Sequence, residues 1–188
     1  MPPKVKITKE DIIKTSIELI RNNGKNALNA RAIAAALDCS TQPIFSSFST
    51  MEALDTALIA AAYERYLTFL DNEIKSEKYP PYKAFGMAYI RFAKEEKELF
   101  KFLFMRDRTN ADTTPSPDFE ESVQLIMRSN DISYEKATLM HLEMWCCVHG
   151  IGTMLATSFL ELDRELVSRI LSDVYQGVKD RILSEENK

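Results

Sequence analysis

The sequence predicts an all-α chain of about nine helices, with a three-helix domain over residues 1–50 and a larger helical domain over residues 51–188. Three observations predict this. Apolar residues recur at helical spacing from Ile12 to Ile182, no run alternates with the period of two that a half-buried strand needs, and no hairpin dipeptide joins two strand-like runs. Five glycines among 188 residues, with 45% hydrophobic and 28% charged residues, suit a helical globular chain.

The elements follow in order. Thr8 can cap a first helix with Asp11 as the reciprocal partner of a capping box; Ile12, Ile13, Ile17 and Ile20 form its apolar stripe, and Asn23-Gly24 ends it. Asn29 can cap a second helix holding Ile33, Ala34 and Leu37. Asp38-Cys39-Ser40 makes a turn in which Asp38 can take the left-handed conformation. A short third helix opens at Thr41 with Ser40 as its cap. Pro43 is tolerated there because a first-turn N–H has no intrahelical partner.

A long fourth helix starts near Thr50 and carries Leu54, Leu58, Ala61, Ala62, Phe69 and Ile74 for about 25 residues, until Lys78-Tyr79-Pro80-Pro81 breaks it. Residues 82–105 divide into two helices, and Arg106–Pro117 reads as a loop. A helix over 118–130 is capped by Asp118 or Ser116. Two long helices close the chain. One spans about 133–159 with Ala137, Met140, Met144, Val148, Ile151 and Leu155 on one stripe; the other spans about 162–184 with Val167, Ile170, Leu171, Val174, Val178 and Ile182.

The run Met144–Leu160 carries no fixed charge, yet it holds His149, two glycines, two threonines and a serine. It is too short and too polar for the roughly 20 apolar residues of a membrane span, so a fully buried core helix is expected and no membrane partner. Lys4, Lys6 and Lys9 precede no apolar run of signal-peptide length, so no leader is expected. Three cysteines, Cys39, Cys146 and Cys147, are neither a disulfide framework nor a zinc spacing, and point to a reducing, cytoplasmic location.

Net charge is −4, unpromising for a nucleic-acid binder until its distribution is read. Residues 1–50 hold seven bases (Lys4, Lys6, Lys9, Lys14, Arg21, Lys25, Arg31) against four acids (Glu10, Asp11, Glu18, Asp38), net +3. The rest then holds 17 bases and 24 acids, net −7. A field that attracts phosphate belongs to the N-terminal end; a solvated surface would give the same count.

Two helices joined by a tight turn, the second short, form a helix-turn-helix unit whose second helix can enter the DNA major groove tip first. In that reading Gln42 can contact adenine in bidentate fashion, Thr41 can serve base or phosphate, and Pro43 can touch a thymine methyl. Arg31 and the helix start at Asn29 are placed for a phosphate. A plain three-helix corner with polar residues in its turn has the same pattern.

Ile7 to Leu58 resembles the N-terminal domain of the TetR family of transcriptional repressors. The features that match are the Ile-rich first helix ending at Gly24, Ile33-Ala34, Ser40, Ile44-Phe45-Ser46-Ser47-Phe48 where the family has a Leu-Tyr-x-x-Phe pattern, and Glu52-Ala53-Leu54. The chain departs from the family at Asp38, where glycine is common, at Thr41, where Lys or Arg is common, and at Met51, where a phosphate-contacting lysine is common. The resemblance implies DNA contacts by Asn29, Arg31, Ser40, Thr41, Gln42, Pro43, Phe45 and Ser46. Fewer basic residues imply fewer phosphate contacts and a shallower salt dependence.

The segment Tyr82 to Phe104 and the pattern Trp-x-x-x-His-Gly at Trp145, His149 and Gly150 resemble a recurring TetR-type C-terminal domain. That resemblance implies a small apolar or aromatic effector, with Phe85, Tyr89, Phe92, Phe104, Met144, Trp145 and His149 as candidate contacts. Aromatic and methionine stripes at helical spacing serve equally as core, and that alternative stays open here. It also implies a homodimer through the last two helices and a palindromic double-stranded operator; with no phosphate loop, no paired-carboxylate motif and no orienting group beside Cys146 and His149, no enzymatic role is expected. The alternative function is a dimeric ligand-binding or protein-interaction module with weak or lost DNA binding. His141 and His149 lie about 12 Å apart along one helix, too far to share an ion, so no metal or cofactor is expected.

Overall fold

A computed structural model of the protein describes residues 7–107 and 117–184. Among the described residues it is all-helical: α1 (Lys9–Asn23), α2 (Ala30–Ala36), α3 (Gln42–Ser47), α4 (Met51–Lys75), α5 (Pro81–Glu95), α6 (Lys97–Phe104), α7 (Pro117–Asn130), α8 (Tyr134–Ala156) and α9 (Arg164–Ser184), with one 3-10 turn at Lys25–Ala27. The nine-helix all-α expectation holds. Packing divides the chain into a first unit, Met1–Leu67 with Glu96–Arg106, and a second, Thr68–Glu95 with Asp107–Lys188.

In the first unit the local signals of the sequence act as expected. The Thr8 hydroxyl accepts from the Asp11 N–H at 3.1 Å, and the Asp11 carboxylate accepts from the Thr8 N–H at 2.9 Å, closing the capping box. Those bonds from Thr8 hold the Asp11 carboxyl below its usual range. Gly24 ends α1 at φ 76°, ψ 165°, and donates its N–H to the Ile20 carbonyl. Asn29 caps α2 through Oδ1, which accepts from the Ala32 N–H at 3.0 Å. Leu37 lies just past α2, and Asp38 is left-handed at φ 50°. Ile12, Ile20, Ile33, Ile44, Phe48, Leu54 and Leu58 are buried, and α1 packs on α2, α3 and α6.

Two local expectations are corrected here. Ser40 does not cap α3: Thr41 is the capping residue, already in helical conformation, and no side chain closes the cap. The helix starts at Gln42 because the Thr41 carbonyl accepts from the N–H groups of both Ile44 and Phe45, so Pro43 occupies the second helical position. Ile74, expected on the apolar stripe of α4, is 42% exposed near the end of that helix.

The second unit is a helical bundle in which α8 packs on α5, α7 and α9. Met87, Ile90, Met144, Ile151, Leu155, Val167 and Leu171 form one buried cluster. Val123, Ile126, Ile132, Ala137, Met140 and Ile182 form another. Asp118 is the second residue of α7, not its cap; Ser116, Lys4, Lys6 and most of the Arg106–Pro117 loop lie outside the described residues. Ser133 caps α8, which stops at Ala156 rather than 159, because Thr157 caps its end and Ser158 turns left-handed at φ 58°. Asp163 starts α9 two residues later than expected, its carboxylate accepting from the Leu166 N–H at 2.7 Å.

The uncharged run of α8 is not fully buried within one chain. Trp145 and Cys146 within it are exposed, as are Leu139 and Leu142 just before it, and Phe159 beyond the helix is 75% exposed. Its buried stripe faces α5, α7 and α9, while the opposite stripe faces outward. No described helix is long and apolar enough to cross a membrane.

Candidate functional site

The residues expected to meet DNA lie on α2, the turn after it and α3. Gln42, Phe45 and Ser46 fall at i, i+3 and i+4 of a short helix, hence on one face, and all three are exposed. Phe45 is 49% exposed, although Ile44 and Phe48 beside it are buried. Thr41 and Pro43 are half-buried, Ser40 is exposed, and Arg31 is exposed in the first turn of α2. The Lys9 ammonium lies 4.8 Å from the Phe48 ring, which puts a cation at the far end of α3. Asn29 is exposed, its Oδ1 accepting from the Ala32 N–H in the α2 cap and its Nδ2 donating to the Ala27 carbonyl at 3.4 Å. The half-buried Met51 opens α4, capped by the Thr50 hydroxyl on the Ala53 N–H at 3.1 Å.

The ligand candidates separate. Tyr89 and His149 meet: Tyr89 Oη lies 2.8 Å from His149 Nδ1, joining α5 to α8. Met144 belongs to the buried cluster between α5, α8 and α9, and Phe85 is half-buried on α5. Phe92 is completely buried, edge-on to Phe69 at 5.3 Å, and so acts as core. Trp145 is 46% exposed and stacks parallel to His141 at 6.5 Å, not against His149. Phe104 belongs to the first unit, where its ring meets Tyr66 and Phe100.

Tyr82 and Thr153 escaped the sequence reading as site residues, and His141 was weighed there only as a metal ligand. Tyr82 Oη lies 3.0 Å from His141 Nδ1, so Tyr82–His141 and Tyr89–His149 are two like pairs on helices that run in the same direction. Tyr82 and Tyr89 are seven residues apart and His141 and His149 eight, two turns in each case, and this matched spacing was the available signal. Burial holds the His141 imidazole below its ordinary value and raises the Tyr82 phenol, so both partners are neutral near pH 7. Thr153, one turn beyond His149, has a buried hydroxyl without a hydrogen-bond partner among the described residues. An unsatisfied hydroxyl beside a Tyr–His pair is a polar group available to a ligand.

The three cysteines are free; Cys146 is exposed, and burial raises the Cys147 thiol. Among the described residues no three His, Cys, Asp or Glu side chains gather as metal ligands would.

No family model and no curated protein matches the chain. Solved structures do. A TetR-like transcriptional regulator from Rhodococcus sp. RHA1 superimposes with a TM-score of 0.69 at 14% identity, covering 94% of this chain and 96% of that one. A protein of unknown function from the same organism gives 0.71 at 19% identity, covering 94% and 97%. A TetR variant from Acinetobacter baumannii AYE in complex with minocycline gives 0.55 at 16% identity, covering 97% and 98%. The likeness extends along nearly the whole chain, and the fold is that of the TetR-like regulators.

Proposed function

We propose that the protein is a TetR-like transcriptional regulator, a repressor that binds a palindromic operator as a homodimer and is released by a small apolar or aromatic ligand. The observation that carries this reading is the outward face of α3, where an amide, an aromatic ring and a hydroxyl are displayed together after a tight turn. That turn lies in the part of the chain with net +3 charge, while the rest has −7. Gln42 supplies the paired donor and acceptor that adenine requires, and Thr41 and Ser46 supply hydroxyls for bases or phosphates. Arg31, Asn29 and Ser40 contact the backbone, and Pro43 stiffens the first turn of α3.

In the second unit, Tyr89, His149 and Thr153 form the polar side of the effector site, with Phe85 and Met144 as apolar wall. Helix α4 contributes residues to both units, so a ligand that prefers one position of α4 alters the presentation of α3. Moving such an equilibrium from 1:99 to 99:1 requires about 10⁴-fold preference of the ligand for one state. The exposed apolar stripe of α8, with Leu166 on α9, supports dimerisation through these two helices.

Selection of random duplex DNA on the purified protein, then titration of the enriched sequence at two salt concentrations, tests the reading. A palindrome with half-sites a whole number of helical turns apart, bound more weakly at higher salt, is the expected result. No enrichment by a folded dimer would favour the alternative, in which Thr41 and Met51 mark a lost DNA site.

A further inference from the structure

Helix α4 buries Tyr66, Phe69 and Leu70 on one stripe, and the next position on that stripe is an acid, Glu73, only 2% exposed. Beside it Ile74 faces water, and Asp71 and Lys75 pair at the surface. Within the second unit Glu73 Oε1 accepts from Nη2 of Arg164, the first residue of α9, and Oε2 lies 4.0 Å from Nη1 of Arg91 on α5. This node is a poor source of stability. The carboxylate is out of water, and it sits in the last turn of α4, where the helix dipole is negative. An apolar side chain of similar volume would fill the same place at no greater cost. Both arginines have further partners: Arg91 donates Nε to Glu95 at 2.8 Å, and Arg164 Nε lies 3.4 Å from the Tyr79 hydroxyl. What the carboxylate adds is position. Apolar contact is non-directional, whereas an acid held between two guanidinium groups fixes where the end of α4 lies on α5 and α9.

Helix α4 is uninterrupted from Met51 to Lys75, so its tilt at Glu73 is also its tilt at Met51, just after α3 ends at Ser47. The stretch from Met51 to Glu73 spans about 33 Å at a rise of 1.5 Å per residue. A tilt of about 5° at Glu73 therefore moves the α3 end by about 3 Å, close to the rise of one base pair. Resting on the reading above of a dimer that binds DNA, we infer that Glu73 is a positioning residue for operator recognition. By pinning α4 to Arg164 and Arg91 it sets the half-site spacing that the dimer accepts. It touches no DNA and acts through the direction of α4.

The probes are the palindrome that wild type enriches from a random pool and the same half-sites moved together or apart by one base pair. Wild type is expected to favour one spacing. Glu73→Met, which keeps the volume and removes the charge, is expected to stay folded and dimeric. It should bind the enriched palindrome about tenfold more weakly and accept the shifted spacings nearly as well. Arg164→Gln, at a side chain 42% exposed, is expected to do the same, whereas Lys75→Gln, which breaks a surface pair in the same turn of α4, should change neither readout. A purely structural Glu73 would lower the unfolding midpoint and leave the spacing preference as it was. That result, or unchanged binding by a folded Glu73→Met dimer, would overturn the inference without touching the DNA-binding reading. If Glu73→Met does not fold, Arg164→Gln decides by the same two readouts. A pool that yields no enriched duplex would overturn the reading beneath it.

Discussion

Arg21, in the last turn of α1, grips Glu96 at the start of α6 with a two-pronged pairing: Nε to Oε2 at 2.7 Å and Nη2 to Oε1 at 2.9 Å. Arg65 of α4 adds Nε to Oε1 at 2.8 Å, so one carboxylate ties three helices of the first unit. Glu96 is only 5% exposed, whereas the two arginines keep 31% and 41% of their side chains in contact with water. Removal of the carboxylate leaves two guanidinium groups that can partly rehydrate. Glu96→Ala is therefore expected to cost about 3 kcal/mol, near the lower end for breaking a buried pair. Arg21→Ala and Arg65→Ala should each cost less, because the other guanidinium still holds the carboxylate. Urea unfolding of the three variants checks this; an unchanged midpoint in Glu96→Ala would show that the node adds no stability.

Gly24 and Asp38 both have positive φ, but they differ in how replaceable they are. Gly24 sits at φ 76°, ψ 165°, a region that is essentially reserved for glycine. A Cβ there would also lie 2.9 Å from Glu98 Oε2. That carboxylate can swing away, so the cost is mainly backbone strain, and Gly24→Ala is expected to lose about 1–3 kcal/mol. Asp38, at φ 50°, is in the left-handed region that Asp tolerates. Asp38→Gly should shift stability by less than about 1 kcal/mol, since relieved strain is offset by the freedom that glycine gives the unfolded chain. Thermal unfolding of the pair side by side decides it, and equal losses would refute the distinction.

The features legible in the sequence are those held by neighbours in the chain. The capping box of Thr8 and Asp11, the Asn29 cap, the Gly24 stop and the left-handed Asp38 each depend on residues within one turn. Glu96 was not legible, because Arg21 and Arg65 lie 75 and 31 positions away and no local pattern marks them. Ser40 was mistaken for a cap because its residue type suits the role, whereas the backbone at Thr41 had already entered helical conformation. The candidate ligand site was legible in part. Tyr89 and His149 meet as a pair, but the one-turn spacing of Trp145 and His149 concealed that Trp145 stacks on His141 instead. Helical spacing gives a shared face, not the neighbour that the face meets.

The Tyr82–His141 pair makes the second unit sensitive to acid. Burial lowers the His141 pKa from its ordinary value of about 6.5, so the folded chain holds the neutral imidazole more strongly than the unfolded chain does. Below pH 6.5 the unfolded state then binds more protons, and stability falls as pH falls. Phe119 meets the ring edge-on at 4.8 Å and Trp145 stacks on it, and neither aromatic neighbour stabilises a charge buried from water as a carboxylate would. His141→Gln is expected to be less stable at pH 7.5 and to lose less on going to pH 5.5 than wild type does. Unfolding midpoints at the two pH values test this. An identical loss in variant and wild type would assign the acid sensitivity to groups other than His141.

Gly150 and Gly177 test the proposed dimer with effects of opposite sign. Each lies inside a long helix, and a Cβ built on either meets nothing within 4 Å in the single chain. Glycine within a helix costs roughly 0.5–1 kcal/mol relative to alanine. In an isolated chain, Gly150→Ala and Gly177→Ala should therefore each stabilise by about that amount. If α8 and α9 pack against their copies in a partner, these are the places where two helices can approach most closely, and an added methyl overpacks the interface. Overpacking costs about 1–3 kcal/mol, enough to raise a dimer dissociation constant by roughly fivefold or more. Sedimentation over a dilution series is expected to show weaker dimers for both variants, and Leu142→Glu, placing a charge on the exposed α8 stripe, should dissociate the dimer more completely. Alanine variants that are more stable with an unchanged dissociation constant would move the interface away from this face, and leave Leu139, Leu142 and Trp145 to be covered by something else.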